Sequence, residues 1–310
     1  MTCCLRRLVL FGLAWCGLGL PISGASAHKL RVLTSFLPVY CFTASVAGNL
    51  AEVENLLPAN VEPHDYQFSR KDLQKLTRAD LIVINGLGVE HWLEKAFGNS
   101  AHPQPVVELA AGLESQLIYS TGIVARPYPS SISAPNPHIW LDPQLACHGV
   151  TNVLKALQRL DPAHAGGYAA NAAQYVAQLE KLDAVLKQSL GPIKGASIVT
   201  YHDAFPYFAR RYGLHIVGVI ESVPDVEPSL KSLASLYRSI RAEQVRVIFT
   251  EAPSPSRLAG QIAGDLRLPL ASLETLESGA LNRDTYEKAM MRNELALLKY
   301  LDPNAHRSSP

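Results

Sequence analysis

The stretch Leu81-Ile82-Val83-Ile84-Asn85-Gly86-Leu87-Gly88 indicates the fold of this chain most clearly. Its apolar residues predict a buried strand, and the two glycines that follow predict the point at which the strand ends. Candidate strands and helices alternate outward from this stretch in both directions. The alternation favours an α/β fold in which helices cover parallel sheets.

Two such series are predicted, one in each half of the chain. In the first half we expect strands at 30–35, 53–57, 81–85 and 106–109, and helices at 42–50, 69–78 and 91–97. In the second half we expect strands at 197–201, 215–219, 245–250 and 270–273, and helices at 204–212, 229–243, 256–266 and 284–300. The halves share no sequence motif, so their predicted similarity is one of layout.

The segment between the two series predicts a helical connection. A helix is expected at 143–160, and a second, Ala-rich helix at 163–190 carries one apolar stripe. The stripe consists of Tyr168, Ala172, Tyr175, Leu179, Leu182 and Leu186. At 1.5 Å per residue this second helix would be roughly 40 Å long, enough to run the length of a domain pair. The predicted organisation is a signal peptide at 1–27, an N-terminal lobe at 28–142, a helical connection at 143–190 and a C-terminal lobe at 191–310.

The first residues predict export rather than structure. Arg6 and Arg7 precede an apolar stretch at 8–20, and Ala25-Ser26-Ala27 is a small-residue cleavage site. We therefore expect a cleaved signal peptide and a periplasmic protein that begins at His28. A lipoprotein anchored at Cys16 is the alternative, although the bulky Trp15 before it is a poor match. No other segment is apolar enough to predict stable membrane insertion.

Charge and cysteine content restrict the function further. The chain has 28 basic and 27 acidic residues, and removing Arg6 and Arg7 leaves 26 against 27. Without a block of like charge, nucleic acid is not indicated as a partner. Cys41 and Cys147 are the cysteines that remain after cleavage, and their spacing allows either a disulfide or two buried thiols.

Four segments place a side chain that can bind a metal at or near the end of a predicted strand. These side chains are His64 in Glu62-Pro63-His64-Asp65, His138 in Asn136-Pro137-His138, His202 in Tyr201-His202-Asp203, and Glu274 in Leu273-Glu274-Thr275-Leu276. Ligands of open parallel sheets bind beyond the carboxyl ends of the strands, so these four side chains predict one metal ion between two halves. Imidazole nitrogens and a carboxylate suit zinc, and also manganese or iron.

Other residues compete for the same role. The rival carboxylates are Glu62, Asp142, Glu221, Glu227 and Glu251. A single histidine is more often a surface or core residue than a ligand, and we apply that interpretation to His28, His91, His102, His148, His164, His215 and His306. Asp65 and Asp203 directly follow His64 and His202. Carboxylates commonly orient metal-bound imidazoles, so both are candidates for that role, although adjacency in sequence does not prove contact.

Several sequence motifs of this chain resemble those of a known protein family. Glu62-Pro63-His64-Asp65-Tyr66, Asn136-Pro137-His138-Ile139-Trp140-Leu141-Asp142-Pro143 and Tyr201-His202-Asp203-Ala204-Phe205 are similar to motifs of metal-binding solute receptors of ABC uptake systems for zinc and manganese. Ile248-Phe249-Thr250-Glu251 and Leu273-Glu274-Thr275-Leu276 also resemble family positions. The resemblance extends over essentially the whole mature chain.

The resemblance implies two lobes joined by a rigid helix, with a metal ion buried between them. The implied ligands are His64, His138, His202 and a fourth that is usually Asp in Leu-Asp-Pro-Leu. Here that position corresponds to Glu274, so either Glu274 or a water is expected as the fourth ligand. A histidine in third place favours Zn2+ as the transported ligand over Mn2+. The 119–135 loop contains neither histidine nor acid, unlike the loop of many zinc-type members.

The implied function is capture of a divalent metal ion and its delivery to the membrane permease of an ABC importer by a monomeric receptor without enzymatic activity. Manganese instead of zinc is the first alternative. A secreted zinc hydrolase with Glu221 or Glu251 as general base is a second, but the chain has neither HExxH nor Gly-x-Ser-x-Gly. A receptor for a metal chelate is a third, and it would leave three inward-facing histidines unexplained.

Overall fold

The computed structural model describes residues 29–64, 66–93, 104–119, 134–221, 228–252 and 256–304. The predicted signal peptide, Asp65 and Glu227 lie outside these ranges, as does part of the helix predicted at 91–97. In the described part of the chain, no helix is both long and apolar enough to cross a membrane.

The first series forms a parallel four-stranded sheet. Its strands are β1 (Arg31–Thr34), β2 (Glu52–Asn55), β3 (Leu81–Ile84) and β4 (Val106–Glu108), in the order β2-β1-β3-β4. Helices α1 (Leu37–Ala47) and α2 (Arg70–Arg78) connect them. Every residue of β3 is buried, as its apolar sequence predicts, because both faces of a parallel sheet are covered.

The second series forms another parallel sheet with the same order of strands. Its strands are β5 (Ser197–His202), β6 (His215–Glu221), β7 (Ile248–Glu251) and β8 (Leu270–Leu273), in the order β6-β5-β7-β8. Its helices are α5 (Pro206–Tyr212), α6 (Leu230–Ala242), α7 (Arg257–Leu266) and α8 (Thr285–Leu301). In each sheet the second strand along the chain lies on one side of the first strand, and the third strand lies on the other side. The crevice between the first and third strands is where such folds bind ligands.

Two helices join the sheets, namely α3 (Pro143–Leu160) and α4 (Ala165–Ser189). The 25 residues of α4 correspond to about 37 Å. All six residues of the predicted stripe are buried, and Asp183 lies buried beside them. Arg211 of α5 donates to Asp183 Oδ1 at 2.8 Å, so a partly buried ion pair attaches the second half to the long helix. The predicted α/β fold of two lobes and a long helix is confirmed.

The start of one helix differs clearly from the sequence-based expectation, and the structure decides the state of the two cysteines. Helix α1 begins at Leu37 rather than at residue 42, because Pro38 fits the first helical turn and the residues around it are buried. Cys41 and Cys147 are both free thiols, which decides the alternative that their spacing left open. Burial raises the pKa of the Cys41 thiol to about 12, so this cysteine is chemically inert.

Candidate metal centre

Four side chains from distant parts of the chain converge between the two sheets. Each of His64, His138, His202 and Glu277 offers one ligand atom, and these four atoms lie within 4.8 Å of one another. His138 Nε2 lies 3.4 Å from His64 Nε2 and 3.1 Å from His202 Nε2. Glu277 Oε1 lies 2.7 Å from His64 Nε2 and 3.2 Å from His138 Nε2. The three histidines that the sequence predicted as ligands are therefore neighbours.

The fold explains how these side chains meet. His202 is the last residue of β5, so it projects from the carboxyl end of a strand in the middle of its sheet. His64 lies on the connection from β2 to α2, and His138 precedes the 3-10 helix Ile139–Leu141. Glu277 lies in the connection between β8 and α8. Each of these four side chains thus follows, or lies on a loop near, the carboxyl edge of a parallel sheet.

The three ligand-atom separations at His138 are close to those of a tetrahedral ion, while Glu277 Oε1 and His64 Nε2 lie closer together, at 2.7 Å. Ligands at the usual zinc distances of about 2.0–2.1 Å lie roughly 3.3 Å apart at the corners of a tetrahedron. The nitrogen–nitrogen separations of 3.1 and 3.4 Å and the nitrogen–oxygen separation of 3.2 Å at His138 are close to that value. The donor set and its dimensions can therefore hold one divalent cation without large movement of the protein.

Glu274 does not belong to this group, which corrects the sequence-based assignment of the fourth member. Its carboxylate forms a two-point ion pair with Arg292, with Oε2 at 2.8 Å from Nη2. Asn293 holds its main chain, since Oδ1 accepts from Glu274 N at 2.7 Å and Nδ2 donates to Glu274 O at 2.8 Å. The chain then turns at Leu276, whose φ is 63°, and Glu277 points into the cluster instead.

Sequence reasoning missed Glu277 because it transferred the family position residue by residue. The segment Glu274-Thr275-Leu276-Glu277 offers two carboxylates three residues apart, and only the turn between them decides which one faces inward. The side chain of Glu277 is 3% exposed, whereas that of Glu274 is 27% exposed. The sequence shows Glu277 as a second possible metal ligand in this segment, but only the backbone conformation shows which glutamate faces the cluster.

Burial and mutual contact shape the electrostatics of the group. Burial lowers the pKa of His202 to about 3, and the nearby His138 acts in the same direction. Burial also lowers the pKa of His138, although Glu277 opposes that effect. Burial alone would raise the pKa of Glu277, but the charge and hydrogen bonds of His64 and His138 outweigh it and hold this pKa well below its usual range. At neutral pH His138 and His202 are therefore neutral and Glu277 is ionised, which is the state that a metal requires of these ligands.

The rival residues take other positions. Asp142 caps α3 by accepting from Gln144 N at 2.9 Å, and His148 contacts the carbonyl of Ala111. Glu221 and Glu251 end β6 and β7 beside the cluster. Burial, together with Glu277 and Glu62, raises the pKa of Glu251 to about 8. Glu251 is therefore largely protonated at neutral pH and adds little negative charge.

The fold and the cluster define a class, that of two-lobe binding proteins with one buried ligand site between parallel sheets. The chain belongs to the ZnuA family, described as "Zinc-uptake complex component A periplasmic", whose model matches residues 32–299.

Three relatives illustrate this membership. The high-affinity zinc uptake system protein ZnuA of Bacillus subtilis (strain 168) is 31% identical over 287 residues, which cover 89% of this chain and 88% of that protein. Zn(II)-bound AdcA from Streptococcus pneumoniae is similar with 31% identity and a TM-score of 0.72, over 88% of this chain and 58% of AdcA. The chain therefore spans only about half the length of AdcA relatives. The solute-binding protein FpvC from Pseudomonas aeruginosa, in complex with Mn2+, has 29% identity and a TM-score of 0.78, over 88% of this chain and 98% of FpvC.

Proposed function

We propose that this protein is an extracytoplasmic receptor that captures a divalent metal ion, zinc, and delivers it to the permease of an ABC importer. The proposed ligands are His64, His138, His202 and Glu277. One observation carries the proposal: three imidazole nitrogens and one carboxylate oxygen, contributed from across the chain, lie within 4.8 Å of one another, and the separations at His138 are close to those of a tetrahedral site.

The donor set supports zinc over manganese. Three nitrogen donors and one oxygen suit zinc, whereas manganese prefers sites that are richer in oxygen. Two of the relatives are named for zinc uptake or contain bound zinc, which supports zinc. Because FpvC was solved with Mn2+, manganese is the alternative metal to test. A fourth ligand from the protein, rather than a water, is supported by the burial of Glu277.

The same arrangement supports binding without catalysis. Catalytic zinc keeps one position open for water or substrate, whereas structural and storage sites are closed by four protein ligands. Here four potential ligand atoms from the protein lie within 4.8 Å of one another. The ion would then be held and released unchanged, by a periplasmic and monomeric protein that the predicted signal peptide exports.

Calorimetry on metal-stripped protein tests the capture step. We expect one zinc ion per chain with an affinity high enough to require a competing chelator, and weaker binding of manganese at equal free-metal concentration. Absence of tight zinc binding would refute the proposal. If manganese displaces zinc under these conditions, the choice of metal is wrong while the receptor function stands.

Growth under zinc limitation tests delivery. Cells that lack this gene should grow poorly when zinc is chelated, and the wild-type gene should restore growth while a Glu277→Gln variant should not. A Glu274→Gln variant is the matched control, because Glu274 lies three residues away and outside the cluster. Equal growth of all strains in chelated medium would argue against a role in zinc uptake.

A further inference from the structure

The side chain of Asn136 forms hydrogen bonds with both halves of the molecule beside the candidate metal centre. Its Oδ1 accepts from the ring Nδ1 of His138 at 2.9 Å and from the main-chain N of His138 at 3.0 Å. Its Nδ2 donates to the carbonyl of Asp203 at 2.7 Å. Asp203 directly follows His202 at the end of β5, so one amide group contacts both a ligand and the peptide next to another ligand.

The orientation of this amide follows from its main-chain partners. A main-chain N–H can only donate, and a carbonyl can only accept, so Oδ1 must face His138 N and Nδ2 must face Asp203 O. Because Oδ1 cannot donate, the hydrogen on the His138 ring must lie on Nδ1. The other nitrogen, Nε2, then carries the lone pair, and it is Nε2 that faces His64, His202 and Glu277.

Asn136 is itself held firmly. It is 3% exposed, and its main-chain carbonyl accepts from the hydroxyl of Tyr207 in α5 at 2.7 Å. Its main-chain N donates to the carbonyl of Ile118, and Tyr207 also accepts from Ile118 N. Anchors on both sides of the residue leave the amide little freedom to rotate away from His138.

We propose that Asn136 is a positioning residue of the metal centre, which holds His138 in the tautomer that leaves Nε2 free for the metal and also holds the main-chain carbonyl of Asp203, the residue after His202. The proposal rests on the proposed function for its metal readout. Asparagine fits this task because a single planar group supplies an acceptor for the ring and a donor for the carbonyl. An aspartate would keep the first contact and lose the second.

Imidazole 15N spectra of the metal-free protein at pH 7 test the tautomer directly, with His138 assigned by comparison to a His138→Gln variant. In the wild type we expect a protonated Nδ1 and an unprotonated Nε2. An Asn136→Ala variant should show a mixture of tautomers, and an Asn136→Asp variant should keep the Nδ1–H form. A merely structural role would lower the melting temperature without changing the tautomer.

Zinc affinity is the second readout. Loss of a group that orients a metal-bound histidine typically weakens binding by about 10–100-fold, and we expect that range for Asn136→Ala. Tyr207→Phe is the control, since it disturbs the main-chain anchor of Asn136 but leaves its amide in place. It should keep the wild-type tautomer and bind zinc more tightly than Asn136→Ala.

The outcomes separate the two proposals. If the wild type binds no zinc, the receptor function fails while the tautomer result still stands or falls by itself. If Asn136→Ala keeps a pure Nδ1–H form and a zinc affinity within about twofold of wild type, below the range expected for a lost orienting group, the positioning role is refuted. A wild-type ring protonated on Nε2 would refute it as well.

Discussion

The two sheets have the same order of strands, yet they support the candidate metal centre in different ways. The C-terminal sheet supplies His202 directly from the end of β5. The N-terminal sheet supplies no member from a strand, since His64 and His138 lie on loops. Equal topology therefore produces unequal contributions, because the loops beyond the strands, rather than the strands, determine which side chains reach the crevice.

The connection that carries Glu277 links the two halves of the chain. We call residues 274–284 the Glu277 segment; it belongs to the C-terminal half of the chain but contacts the N-terminal half repeatedly. Its contacts with earlier parts of the chain run from Trp140 Nε1 to Thr275 O, from Ser278 Oγ to Glu62 Oε1, from Gly279 N to Ala59 O and from Cys41 Sγ to Asn282 O. Three of the four members thus lie on loops that are joined to one another, and His202 approaches them from the other sheet.

The largest effect is expected from replacing His138, whose Nε2 lies within 3.4 Å of each of the other three ligand atoms. A structural zinc site contributes about 10–16 kcal/mol from four ligands, so loss of one costs about 2.5–4 kcal/mol, or on the order of 100- to 1000-fold in affinity. We expect that loss for His138→Ala. His202→Ala should cost less, because His64, His138 and Glu277 remain together. Equal losses in calorimetry would contradict the unequal roles of the two sheets.

The next effect compares the two glutamates of the Glu277 segment. Glu277→Gln should weaken zinc binding by about 100-fold, because it removes an anionic ligand but keeps its shape. Glu274→Gln should leave affinity unchanged within about twofold, since an exposed ion pair with Arg292 contributes little. Chelator competition with both variants measures the difference. A larger loss for Glu274→Gln would return the fourth ligand to the position that the sequence suggested.

A smaller effect concerns the pH dependence of the metal-free protein. His202 has a folded-state pKa of about 3 against an ordinary value of 6.5, so between these values the folded protein binds fewer protons than the unfolded chain. Stability should therefore fall as pH decreases below about 6.5, by up to 1.4 kcal/mol per pH unit for this group. Thermal unfolding from pH 7 to pH 5 measures the slope, which should be smaller in His202→Gln. An identical slope would show that His202 is not buried in neutral form.

The smallest effect tests the contacts of the Glu277 segment. Ser278→Ala removes the hydrogen bond to Glu62 Oε1, which should cost about 1 kcal/mol of stability or less. Zinc affinity should change by less than about threefold, because the other contacts of the segment remain. Urea unfolding and calorimetry on the same preparation provide both numbers. A loss of affinity as large as that of Glu277→Gln would mean that this one bond positions the carboxylate.

Most of the fold was predictable because local patterns and tertiary burial agree. The predicted bounds agree within about a residue with the observed ones for helices 143–160 and 229–243 and for strand 270–273. Apolar patterns determine these elements locally, and an Asp or Ser cap marks the start of each of the two helices. The predicted start of α1 was wrong, because this helix is buried on nearly every side and its sequence therefore shows no clear apolar periodicity. The thiols of Cys41 and Cys147 could not be assigned without their separation in space.

The α/β class, the long connecting helix and the three histidines could be predicted from apolar periodicity and specific motifs, because both are local properties of the chain. The choice of Glu277 rather than Glu274, and the contacts of Asn136 with both halves, arise only when the chain folds. A turn at Leu276 reverses which carboxylate faces inward, and the amide meets Asp203 only after two distant segments fold together. These are choices between nearly equivalent side chains, and only their positions in space distinguish them.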